Sequence, residues 1–184
     1  MNVLIFDTET TGLVRNSLAS LSTQPHITEF YGVLYKVEPD GSPEKIDELE
    51  FFANVPVKLE PIITEKTGIT NEMLADAKPF YEHGRSVLDL IAKADEVVAH
   101  NLSFDMRMVE IEIERIEKEQ NTFNWPKIRT CTVEATEHLR GHRLNLSKLH
   151  EYLFGEPFVG AHRARVDVEA LARCYFELVM RGEI

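Results

Sequence analysis

Cysteine is nearly absent from this chain: two residues in 184, Cys131 and Cys174, with no CxxC spacing. That excludes a thiolate zinc site and a disulfide framework, and it suits a reducing, cytoplasmic setting. Long apolar runs are missing as well. No stretch approaches the ~20 residues that span a bilayer. The N-terminal VLIF lacks the basic flank and cleavage pattern of a signal peptide, so no membrane partner is expected. Repeats, low-complexity tracts and long linkers are absent too, which makes a single domain over residues 1–184 the simplest organisation. Cations are in deficit: 20 Lys and Arg stand against 31 Asp and Glu, a net charge of −11. Such a balance argues against a protein that coats a polyanion with basic side chains, but not against one that recruits metal cations to grip it.

What the chain does have is periodicity. Val3, Leu4, Ile5 and Phe6 predict a strand (2–8) apolar on both faces, which belongs in the middle of a sheet. VRNSLASLSTQPH reads as a loop, ITEFYGVLYKV (27–37) as a second strand, EPDGSPE (38–44) as a turn, and DELEFFANV (47–55) as a third strand completing a meander. PIITEKTGITNEMLADAKP predicts two short helical pieces around Gly68, FYEHGRSVLDLIAKA a helix, and EVVAH (96–100) a buried strand. Residues 104–120 contain VEIEIE, which alternates like a strand. Yet Asp105, Val109, Ile113 and Ile116 lie on one helical face, and length and composition favour helix. A last strand at 128–131 and helices over 132–139, 146–154 and 164–181 complete an α/β chain with a mixed sheet.

Four acids sit where this periodicity expects apolar side chains. Asp7 and Glu9 share a strand face with Val3 and Ile5, because residues two apart point the same way. Asp105 heads the stripe of Val109, Ile113 and Ile116, and Asp167 heads that of Leu171, Cys174 and Leu178. The other Asp and Glu residues are expected mostly at outward helical positions or in turns. Taken singly, an acid in a first helical turn is explained by the helix dipole, a D-x-E at a strand end by a turn, and His162 by the surface. Taken together, inward carboxylates are what hard divalent cations require. Two such ions about 3.5–4 Å apart can drive phosphodiester cleavage. His162, five residues before Asp167 in GAHRAR, is placed to take a proton from an attacking water.

FDTETTGL, AHNLSFD and HRARVD resemble, in order and chemistry, the three motifs of the DEDDh (DnaQ-like) 3′–5′ exonucleases. TGITNEML and LNLSKLHEYLFG resemble segments found between those motifs, so the likeness runs from residue 3 to about 178. The resemblance implies a ribonuclease H-like fold: a mixed five-stranded sheet, its first three strands antiparallel, flanked by helices. It implies two Mg²⁺ or Mn²⁺ ions, with Asp7 bridging them, Glu9 and Asp167 completing one shell, and Asp105 serving the other. It makes His162 the general base that releases 5′-nucleotides from a 3′ end. Thr10 would hold the terminal sugar and Leu13 and Phe104 its base, with core packing the rival for Phe104. Asn101 would line the cleft or form the turn before the helix, and His100 would be structural.

The chain departs from the family pattern in three places. The loop between Gly12 and Ile27 is long, ITEF replaces a small, Gly-containing continuation of strand two, and Thr67 stands where histidine is common. The resemblance also leads to the expectation that the tail by which proofreading subunits hold a polymerase is lacking. The implied partner is a DNA 3′ end, in proofreading or end-trimming, with a DNA polymerase or replication complex as a further partner. An RNA 3′ exonuclease and a non-catalytic end-binding module on the same fold remain the alternatives.

Overall fold

The computed structural model describes residues 1–16, 18–117 and 123–184. Five strands form one sheet: β1 (Asn2–Thr10), β2 (Ile27–Val37), β3 (Pro43–Phe52), β4 (Glu96–Ala99) and β5 (Ile128–Cys131), in the order β3-β2-β1-β4-β5. β1 pairs antiparallel with β2 and parallel with β4; β3 is antiparallel to β2, and β5 parallel to β4. The helices are α1 (Pro61–Thr67), α2 (Asn71–Ala75), α3 (Gly84–Ala92), α4 (Leu102–Glu117), α5 (Thr132–Ala135), α6 (Glu137–Arg140), α7 (Leu146–Phe154) and α8 (Ala164–Arg181). This is the mixed five-stranded, ribonuclease H-like arrangement the sequence led us to expect.

β1 is central because its apolar run buries on both sides. Leu4 and Phe6 pack with Leu90, Met108, Val109, Ile111 and Ile113 of α3 and α4. Val3 and Ile5 pack with Leu149, Val168, Leu171, Cys174 and Leu178 of α7 and α8. Each such side chain contributes about 1.5–3 kcal/mol when fully buried, so the tail of β1 is anchored by the most secure part of the sheet. Leu59, Ile69 and Leu74 form a small separate cluster beneath α1 and α2. Gly68 closes α1 at φ 71, the left-handed geometry that lets the chain turn directly into α2.

Several boundaries differ from the sequence reading. β1 continues to Thr10 because it pairs with β2 as far as Ile27. β3 covers Pro43–Phe52 rather than 47–55, since the tight Glu38–Ser42 turn returns the chain into pairing at once. Its first half is exposed and charged, as suits an edge strand, so apolar alternation could not reveal it. Within 80–94, a 3₁₀ turn at Phe80–Glu82 precedes α3. The helix expected over 132–139 is two pieces, divided at Thr136, whose hydroxyl donates to the Thr132 carbonyl at 2.6 Å. α4 starts at Leu102, and residues 118–120 of the helix expected over 104–120 lie outside the described residues. Ile116, the last member of its stripe, is 39% exposed. Among the described residues, no helix is long and apolar enough to cross a membrane.

Candidate active site

The tail of β1 carries Asp7 and Glu9 on the face covered by α8, while Thr8 and Thr10 point to the other face and are buried. α4 begins immediately after Asn101, which turns the chain at φ 82 and accepts the Phe104 N–H at 2.9 Å. That turn drives Asp105, the head of the helical stripe and the fourth residue of α4, against the strand. Asp105 is 2% exposed and accepts two hydrogen bonds from Thr8, from its N–H at 3.1 Å and its hydroxyl at 2.7 Å. The residue between the two strand acids therefore fixes the third.

Asp167 comes from the first turn of α8. Its Oδ2 accepts the His162 N–H at 2.9 Å, closing the turn that precedes the helix. His162 sits at φ 71 with its ring exposed. One donor atom from each of Glu9, His162 and Asp167 lies within 4.8 Å of the others. Thr10, Leu13, Asn101 and Phe104 occupy the rim elements. Thr10 donates its hydroxyl to the Gly12 carbonyl at 2.8 Å, Leu13 is 82% exposed, Asn101 is exposed, and Phe104 is half-buried against the core. His100 is held on both sides. Its Nε2–H donates to the Leu144 carbonyl at 3.1 Å and its Nδ1 accepts from the Thr132 hydroxyl at 2.9 Å.

The electrostatics show how uncomfortable the acids are without a cation. Burial raises Asp7 well above the usual carboxylate range, and repulsion from Asp105, Glu9, Asp167 and Glu29 pushes it the same way. Burial carries Glu9 to about 8, with Asp167, Glu29 and Asp105 adding to the shift and Arg163 opposing it. Asp105 rises to about 7 and Asp167 to about 6, again mainly through burial, while the hydrogen bonds from Thr8 and His162 oppose the shift. A cluster that disfavours its own charge this strongly is arranged for something that arrives with positive charge.

Two members of the site escaped the sequence reading. Glu29, on β2 opposite Glu9, is fully buried, and Arg163 grips it. Glu29, with the buried Glu96 and Glu112, is an exception to the expectation that the remaining acids lie mostly at outward positions or in turns. The signal was available: Glu29, Tyr31 and Val33 alternate on one strand, an acid beside apolar neighbours.

Residues 4–175 match the exonuclease family designated RNase_T. The chain belongs to that family. The exonuclease pattern read from its motifs is borne out at the level of the family. The PolC-type DNA polymerase III of Bacillus subtilis is 34% identical to it over 174 residues, covering 92% of this exonuclease and 11% of the polymerase. The corresponding protein of Lactococcus lactis is 32% identical over 184 residues, covering 94% and 10%. The exonuclease thus spans about a tenth of the length of these curated relatives. Its fold is shared by the nuclease domain of 3′hExo, a DEDDh family member bound to rAMP, with TM-score 0.73, 17% identity, and 98% and 92% of the two chains covered. The zinc-bound E. coli ExoI–ssDNA complex gives TM-score 0.73 at 17% identity, covering 98% of the exonuclease and 40% of that chain.

The family is divalent-metal dependent. The donor set here fits such an ion: carboxylates from three separate elements converge with raised proton affinities, and Glu9, His162 and Asp167 lie at mutual distances one cation can bridge.

Proposed function

We propose that this exonuclease removes nucleotides from the 3′ end of DNA, releasing 5′-nucleotides, with Asp7, Glu9, Asp105 and Asp167 holding two divalent cations, Mg²⁺ or Mn²⁺. The single observation that carries the reading is the convergence of four buried or half-buried carboxylates and one exposed histidine on the tail of the central strand. Asp7, Glu9, Asp167 and Asp105, the last held by Thr8, would be the residues that hold the ions. Bound cations supply the positive charge that polarises the scissile phosphate and lowers the proton affinity of the attacking water.

The chain's own residues do the rest. His162, whose ring faces solvent beside Glu9 and Asp167, is the group that takes the proton from the water. Asp167 holds its backbone in place through the His162 N–H. Where β1 ends, a cleft of about 550 Å³ is lined by Thr11, Gly12, Leu13, Arg15, Lys58 and Ile63. It offers an exposed leucine for the terminal base, with Arg15 and Lys58 nearby for the backbone. Thr10 shapes the entrance by bonding Gly12, and Asn101 and Phe104, at the turn into α4 that carries Asp105, would contact the terminal nucleotide.

DNA is favoured as substrate because the PolC-type polymerases are the more similar in sequence, and the same likeness makes a replication polymerase the favoured partner. A time course on 3′-labelled and 3′-blocked DNA and RNA oligonucleotides, single- and double-stranded, tests it. The expected result is mononucleotide release from unblocked DNA 3′ ends in Mn²⁺ or Mg²⁺, abolished by EDTA. Faster release from RNA would move the substrate assignment. Internal cleavage of blocked strands, or no cleavage in any metal, would end the reading.

A further inference from the structure

Glu29 presents a problem of charge. It is buried directly opposite Glu9, on the sheet face that also carries Asp7. Like charges opposite one another across a strand pair are destabilising, and Glu29 adds to the repulsion at Asp7, Glu9 and Asp167. Its charge, however, is committed elsewhere. Arg163 donates to both of its oxygens, from Nε to Oε2 at 3.1 Å and from a terminal nitrogen to Oε1 at 3.0 Å. The Ala164 N–H donates to Oε2 at 3.1 Å. The guanidinium lies 5.2 Å from the ring centroid of Phe52, the residue opposite Glu29 on β3.

This fork stands at the junction that matters. Arg163 separates His162 from α8, and as N-cap it has no side-chain capping bond of its own; Glu29 reaches across from the sheet to accept the helix's first N–H. His162 is held at φ 71. That geometry costs a non-glycine residue about 1–3 kcal/mol and persists only when its surroundings over-determine it.

We propose that the Glu29–Arg163 fork is the positioning device of this site. From β2 it fixes both the turn that carries His162 and the helix start that carries Asp167, setting them against Glu9. It thereby governs cation affinity and proton transfer together. Both residues act through His162 and Asp167, so the inference rests on the assignment of those two residues above.

Arg163→Lys keeps the charge and removes the fork, while Glu29→Gln keeps an acceptor for the Ala164 N–H and removes the charge. Two readouts apply: Mn²⁺ affinity by calorimetry without substrate, and kcat and KM on a 3′-labelled oligonucleotide. Each variant is expected to lose about ten-fold or more in Mn²⁺ affinity and in kcat, the usual cost of removing a group that orients a metal ligand, with KM little changed. The double variant should lose no more than the weaker single one, because both changes break one fork. Arg165→Lys loosens the neighbouring Arg165–Glu50 fork on the same helix and should leave both readouts at the wild-type level.

A raised KM with unchanged Mn²⁺ affinity would mean that Arg163 grips a substrate phosphate. Multiplying losses in the double variant would mean two independent roles. Either result overturns the proposal, as does an Arg163→Lys variant that matches wild type. If thermal unfolding shows Glu29→Gln misfolded, Arg163→Lys alone decides. A wild-type protein that binds Mn²⁺ but cleaves nothing would defeat the functional reading while leaving the affinity measurements to judge the fork.

Discussion

His162 is the residue on which the proposed chemistry turns, and its surroundings assign it two possible duties. Its ring is exposed, which suits an exchange of protons with water, yet one of its nitrogens lies within ligand distance of Glu9 and Asp167. The duties separate on substitution. As a base, His162→Ala should lower kcat by roughly 10²–10⁴-fold, the usual contribution of a positioned acid–base group, while Mn²⁺ affinity in the absence of substrate is largely retained. Single-turnover kinetics alongside calorimetry make the comparison. A parallel collapse of both quantities would make the imidazole a ligand and leave the proton to another acceptor.

At the scale of elements, the long loop after β1 is tied down by α4. Arg115 donates to the carbonyls of Leu21, Gln24 and Pro25 and to the Glu112 carboxylate. Glu112, 5% exposed, also accepts the Ile27 N–H where β2 begins. One helix thus secures the entry to β2 and, through the loop, the wall that bears Leu13. Arg115→Ala leaves the buried Glu112 without its arginine, with the His26 ring at 3.3 Å as its remaining side-chain partner, which should cost about 3 kcal/mol in denaturant unfolding. It should also hasten hydrogen exchange at the Leu21 and Gln24 amides and raise KM more than it lowers kcat. Unaltered exchange there would detach the loop from the helix.

For the whole molecule, the metal-free protein should be least comfortable at alkaline pH. Asp7, Glu9, Asp105 and Asp167 all hold protons more tightly folded than unfolded. Their stabilising contribution is therefore complete below the unfolded carboxylate range and lost as pH rises through about 6, 7 and 8. His100 works in the other sense: burial lowers it to about 4, so its contribution is full above its ordinary value and fades as pH falls toward 4. In EDTA, the unfolding temperature should consequently fall between pH 6.5 and 8, and a saturating divalent cation should restore it. Asp7→Asn should raise the metal-free unfolding temperature at pH 8 by about 2–4 °C, the equivalent of roughly 1 kcal/mol in a domain this size, while abolishing cleavage. A metal-free wild type whose stability is flat or rising over that interval would contradict the assigned repulsion.

Patterns that repeat along the chain were legible from sequence. The apolar run at Val3–Phe6 announced a central strand, and the helical stripes headed by Asp105 and Asp167 announced inward acids, because burial imposes a period that a linear sequence records. β3 was harder to place, since an edge strand exposed through its first half has no such period. Thr136, which divides one predicted helix into two, acts through a side-chain bond that periodicity does not encode. Asp7 and Glu9 as neighbours, and the motifs that mark the family, are determined by sequence alone, for strand geometry forces residues two apart onto one face. The pairing of Asp105 with Thr8 and of Glu29 with Arg163 was decided only by the tertiary structure. Each joins elements or turns whose meeting depends on how the helices pack across the sheet, and long-range register is a property of the folded sheet rather than of any segment within it.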